Sequence, residues 1–203
     1  MNSSNELAKY LEENGFLKTP EIIEAFAHVL RADFVKSEDR EYAYENVPLQ
    51  IGYEQTISEP SVVAFMLELL QPKKGQKVLD IGSGSGFTAT LLARIVGPEG
   101  MVFGVEKIPA LVELGATNIE KYGFHNWAIK LAGKEVGDPD NAPFDRILVS
   151  ASAESLPEML VGQLMDEGRM VIPVRNSILL IEKNAKGQID QTEFPGFVFV
   201  PLT

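Results

Sequence analysis

The sequence predicts an α/β fold with a mostly parallel central sheet, helices on both faces and an antiparallel C-terminal strand. Three observations carry this reading. Between residues 78 and 165, short apolar runs alternate with segments of helical spacing. Within that region Val78-Leu79-Asp80-Ile81 runs straight into Gly82-Ser83-Gly84-Ser85-Gly86, a strand followed by a glycine turn and a helix start. After residue 169 the helical spacing stops and only strand-like runs remain. Alternation of strand and helix implies parallel strands joined by right-handed crossovers, which leaves ligand chemistry at the carboxyl ends of the strands.

The elements follow in order. Leu7, Tyr10 and Leu11 lie at helical spacing, and Thr19-Pro20 starts a second helix that carries Ile22, Ile23, Phe26, Val29 and Leu30. Residues 34 to 58 lose this periodicity and contain Pro48 and Gly52, so they read as extended loop crossing the ligand side. Thr56 or Ser58, with Pro60, opens a helix through Leu70 that Pro72 and Gly75 end. Strands are expected at 78–81, 101–105, 127–131, 146–150 and 169–174, and helices at about 86–95, 108–122 and 156–165. A strand at 177–182, a turn at Lys186-Gly187 and a final strand at about 197–200 complete a hairpin-like ending. The whole reads as one domain, 1–203, with residues 1–58 as a helical and loop extension packed on the core.

Composition narrows the classes of function. The 203 residues carry a formal net charge of −11 and no dense run of lysine and arginine, which argues against a nucleic-acid partner. No apolar run approaches the roughly 18 residues of a membrane span, and the N-terminus lacks the pattern of a secretory signal, so no membrane partner and a cytoplasmic location are expected. With no cysteine and only His28 and His125, thiolate catalysis, disulfides and a Cys- or His-rich metal centre are excluded, and no metal ligand is assigned. A monomer is expected. His28 in a helix, His125 at a connection and Trp127 at a strand start all read as packing or surface residues.

The glycine turn carries the chemistry. Glycine permits left-handed dihedrals and has no Cβ to hold a ligand away, while the following helix N-terminus presents unpaired N–H groups. The spacing is G-x-G-x-G with Phe87 next, which is not the G-x-G-x-x-G of dinucleotide sites. The next apolar run, Met101 to Val105, ends in Glu106, a carboxylate suited to accept from two ribose hydroxyls. This arrangement resembles the S-adenosyl-L-methionine site of Rossmann-like class I methyltransferases. The resemblance implies that Asp80, Gly82, Ser83, Gly84, Gly86, Glu106 and Lys107 bind that cofactor.

Residues outside the loop extend the likeness. Ala43-Tyr44-Glu45-Asn46-Val47-Pro48-Leu49-Gln50-Ile51-Gly52, then Gln55-Thr56-Ile57-Ser58-Glu59-Pro60, is similar to the segment before the cofactor loop in protein-L-isoaspartate O-methyltransferases. Ala142 to Val149, Gly168 to Val174 and Phe199 to Leu202 resemble later motifs of that family, so the likeness runs from about residue 7 to the end. It implies methyl transfer from S-adenosyl-L-methionine to the free α-carboxylate of L-isoaspartyl residues in damaged proteins or peptides, whose ester then collapses to a succinimide. It also implies that Ser58 is the active-site serine, with Thr56 assisting. A carboxylate is already ionised at neutral pH, so the reaction needs orientation and desolvation more than a strong base.

Alternatives stay open at this stage. Thr56-Ile57-Ser58-Glu59 also satisfies an S/T-x-x-E capping box, so its hydroxyls can cap the next helix. Asp145 either approaches the cofactor or fixes the turn after Pro143. Two departures from the family stand out. Its acidic residue near the adenine is replaced by Ala132-Gly133-Lys134, leaving Glu135, Asp138 or backbone groups alone to compensate, and the loop after Val174 is shortened to Arg175-Asn176-Ser177, where Arg175 reads as a surface residue or, alternatively, as one that attracts a substrate carboxylate. A carboxyl methyltransferase of a specific peptide or small acid, and a non-catalytic cofactor-binding or interaction protein, are the competing functions.

Overall fold

A computed structural model describes residues 1–202. The central parallel strands arise from near-continuous apolar runs, as strands covered on both faces require. In β3 (Lys77–Ile81) every residue after Lys77 is buried. β4 (Met101–Glu106) and β5 (Trp127–Leu131) flank it on one side, and β6 (Phe144–Val149), β7 (Leu164–Val174), β8 (Ser177–Lys183) and β9 (Ile189–Pro195) on the other. The sheet order is β5-β4-β3-β6-β7-β8-β9. β3 to β7 run parallel, while the β7/β8 and β8/β9 pairs are antiparallel. The chain moves outward from β3 through β4 to β5 and then returns to β6 on the other side of β3, and the crevice at this reversal is where such sheets bind ligands.

Alternation along the strands divides the core. Val78 belongs to the cluster on one face, Leu79 and Ile81 to the cluster on the other. The first cluster takes Leu7 and Leu11 from α1 (Ser4–Glu13), Phe26 from α2 (Pro20–His28), Leu67 from α3 (Pro60–Leu70), Leu91 from α4 (Phe87–Val96) and Leu111 from α5 (Pro109–Glu120). The second takes Leu160 from α6 (Glu158–Gln163). No helix among the described residues is long and apolar enough to cross a membrane.

Several expectations are corrected. Residues 49–57 are not loop but a two-stranded antiparallel hairpin, β1 (Leu49–Gly52) and β2 (Gln55–Ile57), closed by Tyr53-Glu54 at φ 54° and 60°. Positive φ at both turn residues matches the twist of a two-residue hairpin. β7 begins at Leu164 rather than 169, ahead of a register shift that contains Glu167 at φ 61°, and this shortens α6 to six residues. The last strand is 189–195; Phe197 instead stacks on Phe65 of α3, with ring centroids 5.4 Å apart. The capping box does not form. The N-cap of α3 is Glu59 without a side-chain cap bond, and Ser61 N donates to Asn46 Oδ1 at 2.9 Å. Asp145 does neither of the things expected of it: its Oδ2 accepts from Lys77 N at 2.8 Å and fixes the start of β3.

Candidate active site

Three glycines in the left-handed region, Gly82 (φ 78°), Gly84 (53°) and Gly86 (88°), turn the chain from β3 into α4. Their backbone is held from three sides. Gly82 N and Ser83 N donate to Val105 O at the end of β4, at 2.8 and 3.3 Å. Gly84 N donates to Glu106 Oε2 at 2.9 Å, while Glu106 Oε1 accepts from Ile108 N at 3.0 Å. From beneath, Asn118 Nδ2 of α5 donates to Ser85 O at 3.0 Å. A Cβ on Gly86 would stand 2.8 Å from Gly115 O, so α5 approaches the loop backbone to backbone. Asn118 and Gly115 were not singled out in the sequence; a glycine inside an otherwise good helix was the available signal.

Above this loop lies a cavity of about 760 Å³. Of the residues expected to bind the cofactor, Gly82, Ser83, Gly84, Glu106 and Lys107 line it. Thr56 and Ser58 line it too, from the β1–β2 hairpin and the residue after it, together with Gln55 and Ile57. The remaining wall comes from segments 132–137, 150–157 and 200–202. Asp80 and Gly86 are the exceptions and require correction: neither lines the cavity. Gly86 is consumed by its contact with Gly115, and Asp80 lies under the loop with no exposed surface.

Asp80 Oδ2 accepts from Thr88 Oγ1 at 2.9 Å, tying the strand end to the first turn of α4, while its Oδ1 is buried with no hydrogen-bond partner. Burial pushes its pKa up to about 7; Glu106 adds to the rise, and the hydroxyls of Thr88 and Ser83 oppose it. A carboxyl raised from 3.8 in this way holds a proton in the native state that the unfolded chain has released. Its stabilising contribution is complete below about pH 4 and is lost as pH rises through 7, by at most roughly 4 kcal/mol. Asp80→Asn should therefore gain stability relative to the parent between pH 5 and 8 in denaturant unfolding of the ligand-free protein. A pH-independent difference would contradict the assignment.

Two compensations suggested by the sequence do not occur as expected. Asp138 faces away from the cavity: its Oδ1 takes Lys130 Nζ at 2.7 Å and its Oδ2 takes Asn141 Nδ2 at 2.8 Å, which leaves Glu135 as the acidic side chain on that wall. Arg175, at φ 54° in the two-residue turn from β7 to β8, lies outside the cavity lining and donates Nε to Glu154 O at 3.1 Å. It braces the 150–157 wall rather than reaching into the cavity. His28 and His125 are exposed, and Trp127 packs partly buried against the core with Nε1 donating to Phe124 O.

The glycine backbone lines a polar cradle, and Glu106 fits the ribose role. Each of its oxygens already accepts one N–H, and a carboxylate oxygen has a second lone pair for a hydroxyl.

Comparison with known proteins agrees with this geometry. The protein-L-isoaspartate O-methyltransferase of Methanopyrus kandleri is 42% identical over 201 residues, covering 97% of this chain and 89% of its own. That of Aeropyrum pernix is 43% identical over 201 residues, covering 97% and 77%. A crystal structure from Plasmodium falciparum in complex with S-adenosyl-L-homocysteine superposes with a TM-score of 0.87 at 26% identity, over 100% of this chain and 99% of that one. The family model described as Protein-L-isoaspartate(D-aspartate) O-methyltransferase (PCMT) matches residues 2–203, and the chain belongs to that family.

Proposed function

We propose that this protein transfers a methyl group from S-adenosyl-L-methionine to the free α-carboxylate of L-isoaspartyl residues in proteins or peptides. The observation that carries the proposal is that one cavity is lined both by the glycine loop with Glu106 and by Thr56 and Ser58. When bound, the cofactor supplies an electrophilic methyl on a positively charged sulfur.

The chain's own residues do the rest by placement. The loop backbone from Gly82 to Gly84 and the Glu106 carboxylate hold the cofactor, with Lys107 beside them and segment 132–137 on the adenine side. Without an acidic residue at Ala132-Gly133-Lys134, adenine is read by Glu135 or by backbone groups; a hydrogen bond simply lost there costs about 1 to 3 kcal/mol in affinity. Ser58 Oγ–H donates to one oxygen of the acceptor carboxylate, and Thr56 supports it. This fixes the other oxygen for in-line attack, an orientation effect of the kind that lowers barriers substantially. Ile51, Ile57 and Met66 on the same cavity wall exclude water from the ionised acceptor.

The test is transfer of radiolabelled methyl to paired synthetic peptides containing L-isoaspartate or normal aspartate, alongside a titration of the cofactor. Label in the isoaspartyl peptide alone is the expected result. Cofactor binding with no label in either peptide would overturn the acceptor assignment.

A further inference from the structure

The wall that carries Thr56 and Ser58 rests on a single buried cation. Arg31 opens a 3-10 turn, Arg31–Asp33, and has no exposed surface. Its guanidinium forks to three carbonyls on the segment that forms the acceptor side: Nε to Ala43 O at 2.8 Å, Nη2 to Val47 O at 3.0 Å and Nη1 to Ser58 O at 2.8 Å. The group also lies over the ring of Phe87, 5.6 Å from its centroid, and Phe87 is the first residue of the helix that follows the glycine loop. Burial lowers its pKa to about 9, against the opposing influence of Glu59, so it is charged at neutral pH.

Burying an arginine costs its desolvation, offset here by three carbonyls, and an apolar side chain of similar volume would avoid that cost but leave those carbonyls without a donor. What an apolar side chain cannot do is hold three points of one segment in a fixed planar geometry. The turn is itself clamped from the residues just after α5: Leu30 N donates to Tyr122 Oη at 2.8 Å, Tyr122 Oη donates to Asp33 Oδ2 at 3.0 Å, and the Phe34 ring meets both Phe87 and Tyr122. Arg31 is thereby fixed to the elements under the cofactor loop at one end and to the Ser58 backbone at the other.

We infer that Arg31 is a positioning residue for methyl transfer: it sets the Ser58 backbone, and through it the Ser58 hydroxyl, against the glycine-loop helix. The inference rests on the acceptor-holding role proposed for Ser58. Arg31 touches neither cofactor nor acceptor and acts through Ser58.

The experiment is a double-mutant cycle of Arg31→Lys with Ser58→Ala, with Arg31→Met as the uncharged filler, assayed on an isoaspartyl peptide. Turnover is normalised to sites counted by titration with S-adenosyl-L-methionine, so loss of folded protein is not read as loss of rate. Arg31→Lys keeps the charge but loses the fork, and kcat should fall about 10- to 100-fold with cofactor affinity changed less than about 2-fold. Arg31→Met should fall at least as far. The double variant Arg31→Lys/Ser58→Ala should be no more than about 3-fold slower than the slower single one, because both remove the same contact. Normal turnover in both Arg31 variants, effects that multiply with Ser58→Ala, or loss of all cofactor-binding sites in both variants would overturn the inference and make Arg31 a folding element. Ser58→Ala with normal turnover would instead overturn the role of Ser58 itself, a result read from that variant alone.

Discussion

Gly86→Val is expected to abolish measurable cofactor binding and to lower the unfolding free energy by about 3 kcal/mol or more. Two independent penalties add. At φ 88° a β-branched residue is strained, worth about 1 to 3 kcal/mol. Its Cβ would also stand 2.8 Å from Gly115 O and 3.0 Å from Gly115 Cα, backbone atoms that retreat only if α5 moves. Overpacking of this kind costs a further 1 to 3 kcal/mol. Because α5 also holds Ser85 O through Asn118, its displacement distorts the loop that forms the cofactor cradle. Gly84→Ala makes the control. There the φ of 53° still strains a side chain, but a Cβ meets the flexible Cδ1 end of Ile51 at 3.1 Å, which a rotamer change relieves, and Gly82 O at an ordinary 3.9 Å, so the loss of stability should be smaller. Denaturant midpoints and cofactor titrations check both variants, and a parental midpoint for Gly86→Val would contradict the close packing against Gly115.

The second large effect is on rate. Ser58→Ala should lower kcat about 100-fold, the scale seen when one oriented donor is removed from a reaction centre, while cofactor affinity stays within about 2-fold. Stability supplies the discriminating number. A hydroxyl that caps a helix is worth about 1 kcal/mol when removed, whereas the N-terminus of α3 is served by Asn46 and Pro60 and owes nothing to Ser58. Unchanged unfolding with collapsed turnover is therefore the expected pair of results. Unchanged turnover with a stability loss near 1 kcal/mol would return Ser58 to a structural role.

The parts of this fold that could be read from sequence are those whose burial is written into composition. β3, β4 and β6 are apolar through most of their length because the sheet is covered on both faces, and α4 and α5 carry the helical period that covers it. β9 escaped because it is a polar strand at the sheet edge, Asp190 to Glu193 all exposed, with no inward period to mark it. The apolar Phe197 to Val200 drew the strand assignment instead, although its aromatic residue is used in a ring stack on α3. The β1–β2 hairpin escaped because its strands are four and three residues long and its turn uses tyrosine and glutamate where glycine or asparagine is the usual sign.

The site was legible to a similar depth. Residues that present backbone or a lone polar group to the cavity, such as Gly84 and Glu106, stand out by type and spacing, whereas Ser58 stands out only through the family resemblance because its spacing also fits a capping box. Their supports do not. Gly115 and Asn118 act across 29 and 33 residues on Gly86 and Ser85, and Arg31 reaches Ser58 across 27, separations that no local pattern reports. Asp80 was read as a ligand of the cofactor because acid and glycines adjoin in sequence, yet β-strand alternation turns its carboxylate under the loop to Thr88.

The two halves of the cavity are built on separate sheets. Strand ends and the glycine loop supply one half, whereas the hairpin supplies much of the other and belongs to a two-stranded sheet of its own. Its tip, Tyr53 and Glu54, is exposed and carries no part of the main sheet. The tip lies outside the cavity lining, so residues there can be exchanged without disturbing the strand ends and glycine loop. Divergence among descendants of this architecture should accordingly concentrate at the hairpin tip while β3, its glycine loop and β4 drift little.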